Sequence, residues 1–449
     1  MPTLCASVAV VSEVSRRMRG MFYGWKLAGL ALLVIGLASG PVWSGVGLWV
    51  KALEMHFGWS RAQLTGAFSL AQLEGSILGP FLGYLIDRLG PRRMVLIGLV
   101  ITGLGFVLFS QTNNLLTFYV SYSLIMLGTA AGTWLPLMTV VNRWFIRKRG
   151  LAMAVAAEGS PLGGLLLLPI LAWAITPSHF GWSTTALWIG IVFLALAFPI
   201  TRFIRERPED YAELPDGDPS PSTLMSQLDI GRSSSQDVGA RDQPDFTASQ
   251  AIRTSAFWLI TFGHAFSSLL FATLTVHLVP MLTDHGMSLQ SSAYVFSVMM
   301  GVAAAFQLIG GYIGDRIETR VAVAAFGFIQ AAGFTVAVFA QSMPMAILFA
   351  VLFGAGFGGR NPLTVAIRAE YFGPNAFATI TGLSSTPMYL FMLGAPLFAA
   401  FIFDTQGSYM IAWLILGGLG TMSGVLFLLA KKPLSPFLPS TEDTKSFIT

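Results

Sequence analysis

GYLIDRLGPRR, Gly83 to Arg93, and GYIGDRIETRV, Gly311 to Val321, are two versions of one phrase: Gly83, Asp87 and Arg88 match Gly311, Asp315 and Arg316 at a shift of 228 residues. The likeness extends outward. Gly128, Gly132, Pro136 and Leu137 align with Gly354, Gly358, Pro362 and Leu363 at a shift of 226, and Ser160-Pro161 aligns with Thr386-Pro387. Around these anchors lie apolar stretches of about 20 residues, the length that crosses about 30 Å of hydrocarbon. Six start near Trp25, Arg61, Met94, Leu116, Gly150 and Trp182, and six more near Ser255, Gln290, Val321, Met345, Ala376 and Tyr409. Each copy of the phrase follows the second stretch of its set. Two parallel six-span halves predict a pseudo-twofold axis along the membrane normal and a site between the halves near the midplane, which is a transporter's layout.

Composition agrees. The 449 residues are 54% hydrophobic and 11% charged, against about 25% charged in soluble domains, which excludes a soluble protein and, with so little charge to spare, nucleic-acid binding. A single cysteine, Cys5, excludes internal disulfides and cysteine-based metal sites. No metal-ligand cluster and no nucleophile with a base at motif spacing is evident, so neither an enzyme nor a cofactor is expected. Threading twelve spans with the N-terminus inside puts 23 of the 26 Lys and Arg on the cytoplasmic side, including Arg16, Arg17, Arg19, Arg92, Arg93, Arg147, Lys148, Arg149, Lys431 and Lys432, and leaves Lys51 and Arg61 outside. Positive loops stay cytoplasmic, so both termini are expected there, in a multi-pass protein of the cell (inner) membrane. The N-terminal run contains Glu13 and leads into arginines, so no cleavable signal is expected. The implied organisation is a tail (1–20), a six-helix bundle (21–204), a cytoplasmic linker (205–252), a second bundle (253–430) and a tail (431–449). The linker carries ten acids among many Ser and Pro, a composition expected to be largely disordered.

The phrase also resembles the hallmark loop of the major facilitator superfamily, which reads Gly, three residues, Asp, Arg or Lys, any residue, Gly, then basic residues. Gly83, Asp87, Arg88, Gly90, Arg92 and Arg93 all match, whereas the second copy has Glu318 in place of the second glycine. The resemblance covers about residues 21–432 and implies an all-α membrane fold of twelve transmembrane helices in two pseudo-symmetric bundles, generally monomeric. It further implies that Gly83, Asp87, Arg88, Gly90, Arg92, Arg93, Asp315 and Arg316 gate the cytoplasmic side, through ion pairs that rocking of the halves must break; the same charges could serve topology alone. FGWSRA (Phe57 to Ala62), HLVPMLTDHG (His277 to Gly286), and GAGFGGRNPL with EYFG (Gly354 to Gly373) are similar to the bacterial monocarboxylate transporter and oxalate:formate antiporter branches. Members often carry a lysine in the first span and an Asp and Arg in the eighth; this chain lacks all three at span centres.

Ionisable residues at span centres cost about 2.5 to 3.5 kcal/mol each on insertion scales, so each needs a reason. Arg360 lies eight residues before Arg368, which is read as the cytoplasmic end of the tenth span, and so falls near the midplane. A guanidinium stays charged and grips a carboxylate at two points, making it the candidate anion site; pairing with Glu74 or Glu158 is the alternative. The glycines from Gly354 to Gly359 are expected to loosen this helix. Glu74, on an apolar face, and Glu158, ahead of Ser160-Pro161, are candidate proton carriers, as is His277; a structural hydrogen bond is the alternative for each. His264, which shares a stripe with Ser268, Phe271 and Thr275, is a candidate to bond substrate or relay protons, with a helix-helix hydrogen bond as the alternative. Trp43, beside Gly40-Pro41, and Trp134, the counterpart of Arg360, are candidate cavity walls, and Ser268, Asn361 and Tyr389 complete the binding set. With both acids protonated, Arg360 alone gives the site one positive charge, which matches one carboxylate. The reading is a proton-coupled carrier of a small organic anion, most simply a monocarboxylate, with protons, substrate and bilayer as its partners. Carboxylate exchange without net proton movement is one alternative. The other is drug efflux, which Glu158 to Gly164 loosely suggests and which Arg360 would disfavour.

Overall fold

The computed structural model describes residues 22–146, 148–211, 213–217, 246–314, 316–373 and 376–433, so the N-terminal tail, nearly all of the C-terminal tail, residues 218–245 of the linker, Arg147 and Asp315 lie outside the described residues. Twelve helical passes follow in order. The first runs Tyr23–Ser39, a five-residue π turn Gly40–Ser44, then Val46–Phe57. Next come Arg61–Leu89, Pro91–Ser110, the fourth as Leu115–Gly132 plus Trp134–Trp144, the fifth as Arg149–Ala157 plus Gly159–Ile175, and Gly181–Arg202. The second set is Ser255–Asp284, Leu289–Gly314, Thr319–Ala337, Met343–Phe372, Phe377–Gln406 and Met410–Leu429. Eleven passes are long and apolar enough to cross a membrane. The remaining one, Arg61–Leu89, has 29 residues, roughly 43 Å at 1.5 Å per residue; Gln72, Glu74 and the charges at its ends lower its hydropathy. No strand occurs among the described residues.

Local chemistry sets the boundaries. Ser60 and Gln63 form a reciprocal capping box that starts the second pass, and Asn114 and Thr254 cap the fourth and seventh; each side chain satisfies an amide the helix leaves free. The π turn at Gly40-Pro41 follows from Pro41, whose ring cannot supply the helical N–H, and the indole of Trp49 donates to the Pro41 carbonyl at 2.9 Å. The hallmark loop turns at Gly90, at φ 86, a conformation that favours glycine. Its counterpart Glu318 sits at φ −53, so the second copy has no need of one.

The repeat is visible in the packing. Within the first half, spans 3 and 4, 3 and 6, 1 and 5, and 2 and 4 pack together, and in the second half the partners are 9 and 10, 9 and 12, 7 and 11, and 8 and 10. Between halves, 5 meets 8, 2 meets 11 and 1 meets 7, pairs that exchange with one another under a six-span shift. Two hydrogen bonds repeat as well: Ser69 Oγ donates to Leu393 O at 3.0 Å and Ser297 Oγ to Gly164 O at 3.2 Å, with Ser69 and Ser297 again 228 residues apart. Leu33, Leu104, Leu166 and Phe198 point their apolar side chains outward, as helices in lipid do.

One expectation needs correction. The glycine run does not loosen the tenth span, which stays α-helical from Met343 to Phe372. Instead, a Cβ at Gly358 would collide with the Ala303 carbonyl of the eighth span, and one at Gly356 with the Gln330 amide of the ninth, so these glycines let helices approach closely. The described ends of the linker are folded: the Asp216 carboxylate accepts from the Ile146 and Lys148 amides at 3.1 and 3.3 Å, Glu206 accepts from the Arg92 amide at 3.2 Å, and Ala248–Ile252 forms a capped helical turn.

Candidate functional site

Trp43, placed by the π turn of the first span, stands between two cavities at the interface of the halves. One, about 240 Å³, is lined by Ser39, Ser44, Thr129, Thr133 and Ser160 with Trp43, Trp134 and Phe271. The other, about 170 Å³, is lined by Gln72, Glu74 and Tyr389 over an apolar wall that includes Leu78 and Met126. The hydroxyls of the first largely satisfy one another or their own helices: Ser39 bonds Ser160 at 2.8 Å, and Thr129 and Thr133 donate to carbonyls one turn back at 2.7 Å. In the second, Gln72 Nε2 and Glu74 Oε2 are buried without a hydrogen-bond partner. A groove of about 280 Å³ between the first, fifth and sixth spans is walled by Leu37, Ile170 and Trp188; its apolar lining suits an acyl chain and offers an anion nothing.

Arg360 sits behind the first cavity. Its guanidinium is 1% exposed, donates from Nε to Gln330 Oε1 at 3.1 Å, and leaves Nη1 with no partner. Gln330 is itself held by the Ser267 carbonyl at 3.0 Å. Phe271 stacks on Phe357 with centroids 4.3 Å apart, and Arg360 Cζ lies 5.9 Å from the Phe357 ring, so an aromatic pair separates the cation from the cavity. Neither Glu74 nor Glu158 pairs with it; Glu158 Oε1 is buried and unpartnered too. Arg368 is not at a membrane surface, as its place in the sequence suggests, but 2% exposed. It donates to Ser384 Oγ at 3.1 and 2.9 Å, to Thr364 O at 2.8 Å and to His264 Nδ1 at 2.8 Å. The interior therefore holds two guanidiniums and no carboxylate bonded to either among the described residues.

The face opposite the Gly83–Arg93 loop is sealed by a cross-half network. Arg61 binds Asp284 at 2.6 and 2.9 Å, Glu54 at 3.0 and 3.2 Å and the Tyr409 hydroxyl at 2.8 Å, over the Phe403 ring at 3.8 Å. Asp404 caps the second span from the other half, accepting from the Arg61 and Ala62 amides at 3.2 and 2.9 Å. Both ring nitrogens of His277 are used, one by the Pro396 carbonyl and one by Tyr409, at 2.9 Å each. Since a carbonyl only accepts, Nε2 carries the hydrogen, and the Tyr409 hydroxyl, which already accepts from Arg61, donates to Nδ1. Burial pushes the Tyr409 hydroxyl above its ordinary range, so it keeps the proton it donates. At the loop face no cross-half hydrogen bond or ion pair joins the described residues: Arg88 bonds Tyr84 of its own helix at 3.2 Å and Arg316 the Tyr312 carbonyl at 3.3 Å. The cross-half network closes the molecule at the Arg61 face, and no comparable hydrogen bond or ion pair among the described residues closes the loop face.

The Major Facilitator Superfamily model matches residues 32–303 and again 260–449. The chain belongs to that superfamily. Among curated relatives, monocarboxylate transporter 2 of Mesocricetus auratus is 24% identical over 90% of this chain and 83% of its own length, and the oxalate:formate antiporter of Oxalobacter formigenes is 26% identical over 78% of each chain. A bacterial homolog of the human lysosomal transporter Spinster, solved in an inward-facing and occupied conformation, shares the fold with a TM-score of 0.67 at 15% identity, over 93% of this chain and all of that one. The protein is thus a multi-pass membrane transporter of the superfamily and not an enzyme.

For this superfamily member the structure gathers Trp43, Trp134, Glu74 and Tyr389 around the two cavities. It puts Arg360 behind Phe357, His264 on Arg368 and His277 in the seal; Ser268, Asn361 and Glu158 line neither cavity. Gly83, Asp87, Arg88, Gly90, Arg92 and Arg93 lie at the loop face with Arg316. Sequence reasoning overlooked Gln72, Gln330, Arg368, Asp284 and Tyr409. Gln72 and Gln330 were discoverable as amides inside apolar spans. Arg368 was not, because an arginine a few residues from a helix end reads as an anchor.

Proposed function

We propose that this transporter carries small monocarboxylates together with protons, opening its two halves alternately around the cavities at Trp43. The single observation that carries the reading is the buried Arg360 guanidinium with Nη1 unpartnered and no carboxylate on it, a cation poised for an anion from outside the protein. The relatives named for monocarboxylates and for oxalate and formate support the substrate class. Charge supports one carboxylate over two. Arg360 and Arg368 are two buried cations, and Glu74 and Glu158 are the acids nearest the middle of their spans, so ionisation of one acid leaves one net positive charge. An anion entering with a proton for that acid preserves the balance, which gives electroneutral symport its rationale. In this reading both termini are cytoplasmic, the loop face is the cytoplasmic face, and the conformation described is inward-open, with the hallmark loop latching that face when the cycle reverses. A monomer suffices, since both halves of the site belong to one chain.

The test is transport by purified protein in liposomes loaded with a pH dye, given a panel of mono- and dicarboxylates. Monocarboxylates are expected to acidify the lumen while oxalate does not. A panel without any carboxylate response would remove the substrate class and turn attention to cationic drugs; uptake indifferent to the pH gradient would leave carboxylate exchange in place of symport.

A further inference from the structure

We propose that the cavity on the second-span side of Trp43 is a subsite for the un-ionised carboxyl group of a short monocarboxylic acid, with Gln72 and Glu74 as the pair that binds it. The proposal rests on the carrier reading above and adds to it the place where substrate and proton are held together.

Gln72 is 5% exposed, its Nε2 lacks a hydrogen-bond partner and it lines this cavity; Glu74, two residues on and half-buried, lines it too, with Oε2 buried and unpartnered. Buried polar atoms left unpaired cost about 1–3 kcal/mol each, so both point to an occupant. An amide nitrogen offers only donors and a carboxylate only acceptors. A carboxylic acid carries one acceptor carbonyl and one O–H donor on the same carbon, the complement of one amide donor and one carboxylate acceptor. A carboxylate anion arriving without its proton would face the like charge of an ionised Glu74, and an ammonium group would leave Gln72 unserved. Tyr389 of the eleventh span is the other titratable group lining the cavity, and no charged side chain from the first, fourth or eleventh span joins it among the described residues. With Trp43, the apolar Ala71, Leu78, Leu82, Met126, Leu127 and Ala130 form the rest of the wall and suit a short aliphatic tail, not a second carboxyl. The volume of about 170 Å³ is that of roughly five or six waters in the liquid, enough for an acid of a few carbons.

The proton then has a defined path. The acid's O–H bond breaks as an O–H bond forms on Glu74, the bonding pair stays on the substrate oxygen, and the resulting anion is free to move past Trp43 toward Arg360. Return of the proton from Glu74 to the anion reverses the step. Proton and anion enter as one neutral species, so no uncompensated charge crosses the apolar wall.

The experiment compares wild type, Gln72→Leu, Gln72→Asn and Glu74→Gln in proteoliposomes, with labelled acetate, propionate and butyrate. It measures both exchange against unlabelled acid and accumulation driven by an imposed pH gradient. Loss of one hydrogen bond is expected to raise KM about tenfold in Gln72→Leu, with a smaller rise in Gln72→Asn and the pH dependence intact in both. Glu74→Gln is expected to lose pH-driven accumulation and to exchange only with a raised KM, its thermal midpoint in detergent reporting that it has folded. A wild-type KM in both Gln72 variants, or full pH-driven accumulation by Glu74→Gln, would overturn the subsite while leaving the carrier reading standing. Wild type that moves none of the three acids in either mode would overturn the carrier reading itself.

Discussion

Arg360 is the residue on which the chemistry turns, and its neighbours define what can be asked of it. Gln330 fixes the guanidinium through Nε, so Gln330→Leu should leave the cation buried but misaligned. A hydrogen bond to a charged group is worth about 1.5–3 kcal/mol, which predicts a rise in KM of at least tenfold with kcat little changed, measured by initial-rate uptake of a labelled monocarboxylate. The Phe271–Phe357 stack predicts a second effect. If it screens Arg360 in this conformation, Phe357→Ala should admit dicarboxylates that wild type rejects, read as inhibition of monocarboxylate uptake by malonate or succinate. The sequence exposed Arg360 because a lone charge in an apolar span is conspicuous. It hid what Arg360 does at rest, since Gln330 lies 30 residues away in another helix and only packing brings them together. His277 shows the same limit: its motif was legible, but its bonds to Pro396 and Tyr409 are tertiary facts.

At the scale of elements, the glycines of the tenth span were easy to see and easy to misread. A cluster of small residues in a membrane helix is compatible with unwinding or with close approach, and composition does not separate the two. Contacts do: Gly359 and Gly310 meet across spans 10 and 8, and a Cβ on Gly310 would overlap the Gly359 backbone. Gly310→Val is therefore expected to force these helices apart and destabilise the second half by about 1–3 kcal/mol or more, checked as a lower thermal midpoint in detergent than that of Gly311→Val, whose position has no neighbour within 4 Å. Helix starts were more legible, because caps such as Ser60 with Gln63 act over three residues and need no partner from elsewhere.

For the whole molecule, the repeat was the most legible feature, and it anticipated the pairing of spans, since equal sequences pack equally. Which face is shut was not in the sequence, because both closed and open forms use the same residues. Arg61 joins the halves through Asp284, Asp404 and Tyr409, so Arg61→Ala should favour opening at that face. In a Cys5→Ser background, Ser69→Cys is expected to react about tenfold or more faster with an impermeant thiol reagent once Arg61 is lost, corresponding to about 1.4 kcal/mol or more of lost closure. The central claim, that a carboxylate binds on Arg360, is tested most directly by isothermal titration of the purified transporter with short monocarboxylates, comparing wild type, Arg360→Lys and Arg360→Ala. The account predicts saturable one-site binding in wild type, weaker binding in Arg360→Lys, which keeps the charge but not the two-point geometry, and none measurable in Arg360→Ala. Equal affinity in wild type and Arg360→Ala would contradict it and return Arg360 to a structural role beside Gln330.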